Sequence, residues 1–166
     1  MARIYLILFI ISVFSQVQSK EISGFPKIID GDTVKINSFK IRLEGIDAPE
    51  IKQKCRKNFL KLSVIIGFSF DKNYLCGVIS KKKLVQMIKN SKIKCISFSQ
   101  DRYKRYLATC YKGNRNLNKW MVKNGYAVAY LKYSNKYFMD EKYAKENKLG
   151  IWQGSFLRPD KWRKVN

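Results

Sequence analysis

The 166-residue chain contains no histidine. That absence excludes every mechanism that needs an imidazole as base, as partner of a nucleophile or as metal ligand. An enzyme built from this sequence works with carboxylates, lysine, arginine, tyrosine, hydroxyl groups or a metal ion. Acidic residues are scarce too: 12 Asp and Glu stand against 34 Lys and Arg, a formal net charge of +22. Such an excess favours a polyanionic partner (nucleic acid, an anionic membrane or an acidic polysaccharide) without choosing among them. The four cysteines, Cys55, Cys76, Cys95 and Cys110, form no Cys-x-x-Cys pair. With no histidine to join them, that spacing argues against zinc. There is no internal repeat and no low-complexity tract.

Apolar residues make up 46% of the chain, enough for one domain with a hydrophobic core. At the N-terminus, Arg3 precedes an apolar run from Ile4 to Phe14, broken only by Ser12. Val17 and Ser19 then occupy the −3 and −1 positions of a cleavage site. This is the anatomy of a secretory signal peptide over residues 1–19, and the run is short for a membrane span. Cleavage leaves a protein secreted to the periplasm or outside the cell; the alternative is an uncleaved anchor. An even cysteine count behind such a signal points to disulfides.

Between residues 24 and 47, short β-branched runs at 27–30, 33–36 and 39–43 are separated by the turn signals Asp30-Gly31-Asp32 and Asn37-Ser38. In the last run Phe39, Ile41 and Leu43 share one face, and Lys40 and Arg42 the other. Residues 56–75 read as a hairpin-like insertion. Further strands are expected at 92–98 and 105–111. Helices are expected at 81–89 (capped by Ser80), at 117–124 (stopped by Gly125) and at about 136–148, with Phe138, Ala144 and Leu149 inward. Trp120 and Trp152 read as core. Residues 153–166 read as a loosely held tail. Five strands with one helix after the third and helices at the end make an α+β domain. A five-stranded barrel of the oligonucleotide-binding type with three helices fits.

Five of the twelve acidic residues fall between 30 and 50: Asp30, Asp32, Glu44, Asp47 and Glu50. Gathering carboxylates costs repulsion unless a cation sits among them, and all-oxygen ligands suit Ca²⁺ or Mg²⁺. Asp30-Gly31-Asp32 taken alone reads first as an ordinary turn. Arg42 and Glu50 add what phosphodiester hydrolysis needs. A carboxylate can orient and deprotonate water. A guanidinium, planar and always charged, can bind the developing charge of a phosphorane-like transition state.

Ile29-Asp30-Gly31-Asp32-Thr33-Val34, Ile41-Arg42-Leu43 and Gly45-Ile46-Asp47-Ala48-Pro49-Glu50, in that order, resemble the staphylococcal nuclease (thermonuclease) family. Asp101-Arg102-Tyr103-Lys104-Arg105-Tyr106-Leu107-Ala108 resembles its second basic motif. Asn118 through Gly125-Tyr126-Ala127 and Gly150-Ile151-Trp152 resemble its later helices. The resemblance spans about residues 25–152 and leaves 56–75 as an insert. It implies an oligonucleotide-binding barrel in residues 20–166 and Ca²⁺-dependent hydrolysis of DNA and RNA to 3′-phosphate ends. By motif, Asp32, Asp47 and the Ala48 carbonyl would hold the calcium. Glu50 would activate water, and Arg42 and Arg105 would grip the phosphate. Tyr103 and Tyr130 would contact the nucleotide. The family usually has glycine where this chain has Lys104, so a turn requiring φ > 0 would strain Lys104 and could displace Arg105.

With the strands so placed, Cys95 and Cys110 flank the 101–105 turn and Cys55 and Cys76 bracket the insert. Cys55–Cys76 and Cys95–Cys110 are therefore expected, one of three possible connectivities. The expected protein is a monomer free of the membrane. Two other classes compete: a catalytically inactive nucleic-acid-binding module on the same fold, and a cell-surface protein using its charge and a retained anchor. The intact Asp32, Arg42, Asp47, Glu50 and Arg105 set argues against the first. The acidic cluster has no role in the second.

Overall fold

The computed structural model describes residues 19–61 and 69–166. The expected signal peptide, apart from Ser19, and the tip of the insertion at 62–68 lie outside the described residues. Among the described residues, eleven strands and four helices follow in chain order: β1 (Lys20–Gly24), β2 (Pro26–Ile28), β3 (Thr33–Ile36), β4 (Phe39–Leu43), β5 (Ile46–Asp47), β6 (Lys54–Lys61), β7 (Ser69–Leu75), α1 (Cys76–Ile88), β8 (Ile93–Gln100), β9 (Tyr106–Lys112), β10 (Arg115–Asn116), α2 (Leu117–Lys123), β11 (Val128–Ala129), α3 (Phe138–Glu146) and, after a 3₁₀ turn at Gly150–Gln153, α4 (Pro159–Val165).

The main sheet runs β1-β8-β9-β4-β3-β2, with β10 paired to β9. All its pairings are antiparallel except β4 with β9, where Ile41–Leu43 run beside Tyr106–Ala108. The alternation in β4 is realised: Ile41 and Leu43 are buried and Lys40 is exposed. Val34, Ile36, Ile41, Leu43, Ala108 and Cys110 form the inner wall. Leu84 and Ile88 of α1 and Leu117, Met121 and Val122 of α2 close over it. The result is the α+β architecture of the oligonucleotide-binding type.

Buried Asn118 fastens α2 to the sheet. Its amide nitrogen donates to the carbonyls of Glu44 (2.9 Å) and Ala108 (3.0 Å), and its oxygen accepts from the Cys110 N–H (3.0 Å). Three backbone groups in the interior are satisfied by one side chain, which meets the demand that buried polar groups be paired. Both expected disulfides are present. Cys95 and Cys110 face each other directly across β8 and β9, and Cys55–Cys76 ties the insertion to the start of α1. The insertion is a hairpin, β6 against β7, as its sequence suggests.

Four local expectations are corrected. The strand β1, not expected, pairs along β8. The first helix begins at Cys76 rather than 81 and takes Ser80 into its interior, where the hydroxyl donates to the Tyr126 carbonyl at 2.7 Å. Gly77 explains that start: a Cβ there would overlap the Glu50 carbonyl, so the helix can lean on the 48–50 turn only at a glycine. In α3, Phe138 is 48% exposed while Glu141 is buried, because Glu141 accepts from the Ala129 N–H (2.5 Å) and from Arg158 (2.8 Å). The supposed tail contains α4, a fourth helix. Pro159 at its N-terminus is buried, Asp160 stands in its first turn and Arg163 and Lys164 in its last, the charge order a helix dipole favours.

Candidate active site

The acidic motifs converge because of register. Thr33 pairs with Arg42 across β3 and β4, and the Leu43 N–H donates to the Asp32 carbonyl at 2.7 Å. Asp32 therefore lies beside Arg42. The 30–32 turn is held by the Asp32 N–H donating to Asp30 Oδ1 at 2.9 Å. Gly31 is required there, since a Cβ would meet the Ser80 hydroxyl and the Ala48 side chain. On the other side β5 pairs with β11, placing fully buried Asp47 against Val128.

Arg42 bridges the two aspartates. Nη1 donates to Asp32 Oδ1 in a very short contact, and Nη2 donates to Asp47 Oδ1 at 2.8 Å. Asp32 Oδ1 also accepts from the Thr33 hydroxyl at 3.1 Å, and Oδ2 accepts from the Ala48 N–H at 2.7 Å. Glu50 follows on the 48–50 turn. Buried Gln53 holds that turn, its N–H donating to the Glu50 carbonyl at 2.8 Å and its Oε1 accepting from the Glu50 N–H at 3.3 Å. The Glu50 side chain is 37% exposed.

Electrostatics follow the burial. Burial works against the Arg42 charge, but Asp32 and Asp47 outweigh it and hold the guanidinium above its ordinary pKa. Burial pushes Asp47 above the usual carboxylate value; Arg163 and Arg42 pull it back, and Asp32 pushes it up further. Burial, with the neighbouring Asp32 charge adding to it, raises Asp30 to about 6. Two buried carboxylates around one guanidinium, with all-oxygen donors, match the chemistry of a hard-cation site. Among the described residues, no group of three or more His, Cys, Asp or Glu side chains is assembled as a metal cluster. The cations held by the carboxylates here are guanidinium groups.

One of them was not anticipated. Arg163, in the last turn of α4, donates from Nη1 and Nη2 to the two Asp47 oxygens at 3.0 and 2.9 Å, and from Nη1 to Glu50 Oε1 at 2.9 Å. A signal existed. The chain has eight arginines among its 34 basic residues, and four of them, Arg42, Arg105, Arg158 and Arg163, bind carboxylates. Arginine suits such contacts because its guanidinium is planar and multidentate.

Arg105 stands immediately before β9, whose Tyr106 runs beside Ile41 of β4. The Arg105 Nε donates to Asp101 Oδ2 at 2.7 Å, and its backbone N–H to Asp101 Oδ1 at 3.0 Å. Burial pushes Asp101 up, but these bonds, with the Arg105 charge and the Tyr103 N–H, together outweigh it and hold Asp101 below the usual carboxylate range. Lys104 adopts φ +59°, the left-handed conformation its position suggested, and Asp101 keeps the turn closed around it. Tyr103 is 64% exposed, with the Arg102 guanidinium 4.8 Å and the Arg105 guanidinium 5.5 Å from its ring centre. Tyr130 is partly buried, packed edge-on against Tyr133, and its N–H donates to the Gly45 carbonyl next to β5.

Comparison with known proteins agrees with this assembly. The family model "Staphylococcal nuclease homologue" matches residues 40–154, well over half of the chain. An uncharacterized endonuclease of Haemophilus influenzae is 32% identical over 83% of this chain and 70% of its own length. The succinoglycan biosynthesis protein ExoI of Rhizobium meliloti is 30% identical over 81% of this chain and 66% of its own. The staphylococcal-like nuclease CAN1 of Arabidopsis thaliana is 26% identical over 86% of this chain but only 39% of that longer protein. The chain belongs to the staphylococcal nuclease homologue family, as a nuclease that hydrolyses phosphodiesters of nucleic acid.

Proposed function

We propose that the protein is a secreted, Ca²⁺-dependent endonuclease. It cuts both DNA and RNA, leaves 3′-phosphate products, and works as a monomer made of one nuclease domain over residues 20–166. The observation that carries this reading is the buried Asp32–Arg42–Asp47 bridge with Glu50 beside it. Two buried carboxylates with the Ala48 backbone beside them offer the all-oxygen donors that suit a hard cation.

Asp32, Asp47 and the Ala48 carbonyl would hold calcium, an ion that binds a phosphate oxygen and offsets developing negative charge. Glu50 orients a water molecule and takes its proton as the water attacks phosphorus. Arg42, beside these aspartates, offers its guanidinium to the charge that builds on the phosphoryl oxygens. Arg105, positioned by Asp101, contacts the same phosphate from the β9 side. Tyr103 offers an exposed ring to a base, and Tyr130 contacts the nucleotide sugar or base near Gly45. The basic surface draws the polyanion in, so binding weakens with salt. In an oxidising compartment the two disulfides would persist. No helix among the described residues is long and apolar enough to cross a membrane.

The test is cleavage of DNA and RNA by purified protein with Ca²⁺, with chelator, and with Glu50→Gln. Metal-independent cleavage sinks the calcium assignment. Glu50→Gln with unreduced turnover removes Glu50 as the base. Binding without any cleavage returns the protein to a binding module.

A further inference from the structure

Arg163 stands on a short helix near the C-terminal end of the chain. Helix α4 has seven residues, too few to be stable alone in water. Its base is well anchored. Pro159 is buried, Arg158 binds Glu141 (2.8 Å) and the Ala129 carbonyl (2.8 Å), and Gln53 donates to the Leu157 carbonyl (2.6 Å). Its far end is different. Lys161, Arg163, Lys164 and Val165 are exposed, and the ion pairs of Arg163 are the contacts that bind this end to the carboxylates.

Those pairs consume what a metal would use. Both Asp47 oxygens accept from Arg163, one of them already accepts from Arg42, and Glu50 accepts from Arg163 as well. A divalent ion and this guanidinium seek the same oxygens with charge of the same sign, so close approach of both is repulsive.

We propose that Arg163 is an internal latch on the nuclease site: its guanidinium takes the carboxylate oxygens of Asp47 and Glu50, and metal entry requires the end of α4 to let go. The latch rests on the calcium reading above. It lowers the apparent metal affinity by the fraction of molecules in which the end of α4 is released. A released fraction on the order of one in ten weakens apparent Kd roughly tenfold. It also keeps Glu50 paired, and so not free to activate water, until metal arrives. Release costs little because only the last turn of a short helix need move, while Arg158 and Pro159 hold its base.

The test is calorimetric titration of Ca²⁺ into the native protein, Arg163→Ala, Arg163→Lys, and Asp47→Asn in each background, with hydrogen exchange of residues 159–165 followed with and without Ca²⁺. Arg163→Ala should bind Ca²⁺ roughly tenfold more tightly. Arg163→Lys, with one ammonium in place of a fork, should fall between. Ca²⁺ should speed exchange in 159–165 of the native protein and not of Asp47→Asn. Equal affinities in native and Arg163→Ala, or weaker binding in Arg163→Ala, overturn the latch while leaving calcium in place. Absence of Asp47-dependent Ca²⁺ binding even in Arg163→Ala overturns the calcium reading, and the latch with it.

Discussion

Arg42 and Asp47 meet at 2.8 Å, the guanidinium from a strand of the main sheet and the carboxylate from a separate two-stranded pairing. The contact joins two parts of the fold at the site. Arg42 is also bonded to Asp32, so its position is set from both sides. Replacing it removes a phosphate donor. Arg42→Ala and Arg42→Lys should each lower kcat by on the order of 10²–10³-fold on DNA and RNA. Lysine fails because one ammonium cannot span both aspartates and a phosphate. Single-turnover rates measure this; Arg42→Lys at native speed would remove the planar donor from the mechanism.

Glu50 is half open to solvent, so its removal should not disturb folding. Glu50→Gln should keep the native circular dichroism and lose about 10²–10⁴-fold in turnover, the range for a general base. Nucleic-acid binding in the absence of cleavage should change little, which separates loss of chemistry from loss of affinity.

Lys104 holds φ +59°, a conformation that costs a side-chain-bearing residue about 1–2 kcal/mol and glycine almost nothing. Glycine gives back part of that through a freer unfolded chain. Lys104→Gly should therefore stabilise the protein by up to about 1 kcal/mol in urea melts. The Arg105 bonds to Asp101 lie on the far side of the turn and should survive.

The Asp101–Arg105 link gives a pH signature. Hydrogen bonds from Arg105 hold the folded-state pKa of Asp101 below its ordinary 3.8. The resulting stability is complete above that ordinary value and is lost as pH falls through the depressed folded one. Asp101→Asn should thus melt lower than the native protein at neutral pH, and the gap should close only below about pH 4. A gap that instead opens as pH falls would show the link has the wrong sign.

Each disulfide closes a loop, of 15 residues for Cys95–Cys110 and 21 for Cys55–Cys76. Chain entropy assigns each about 3 kcal/mol. Replacing both cysteines of a pair by alanine should lower stability by about that amount. The loss at Cys95–Cys110 should be at least as large, since both residues also sit in the central core.

Much of the fold was legible because its signals are local. The alternation of β4, the turns at 30–32 and 37–38, the helix over Leu117–Lys123 with its glycine stop, and the hairpin of the insertion follow from periodicity and turn chemistry. The order of acidic and basic motifs singled out Asp32, Arg42, Asp47 and Glu50; in the structure Arg42 meets Asp32 and Asp47, and Arg163 joins Asp47 to Glu50. What failed were features set by distant contacts. The start of α1 is fixed by Gly77 against the Glu50 backbone and by the Cys55–Cys76 bond, not by the best capping residue nearby. Glu141 is buried because Ala129 and Arg158 need an acceptor there, which no helical periodicity encodes.

By itself, then, the sequence determined the chemistry available: no imidazole, scarce carboxylates of which five fall between residues 30 and 50, and strands whose alternation buries one face. These are properties of residue type and near-neighbour spacing. Only the tertiary structure decided which charges meet. Arg163 lies 116 residues from Asp47 and reaches it because Arg158 and Pro159 seat the base of α4 beside the site. Arg105, sixty-odd residues beyond Arg42, is held instead by its own neighbour Asp101. Ion pairing acts through space at a few ångströms, and chain distance carries almost no information about it.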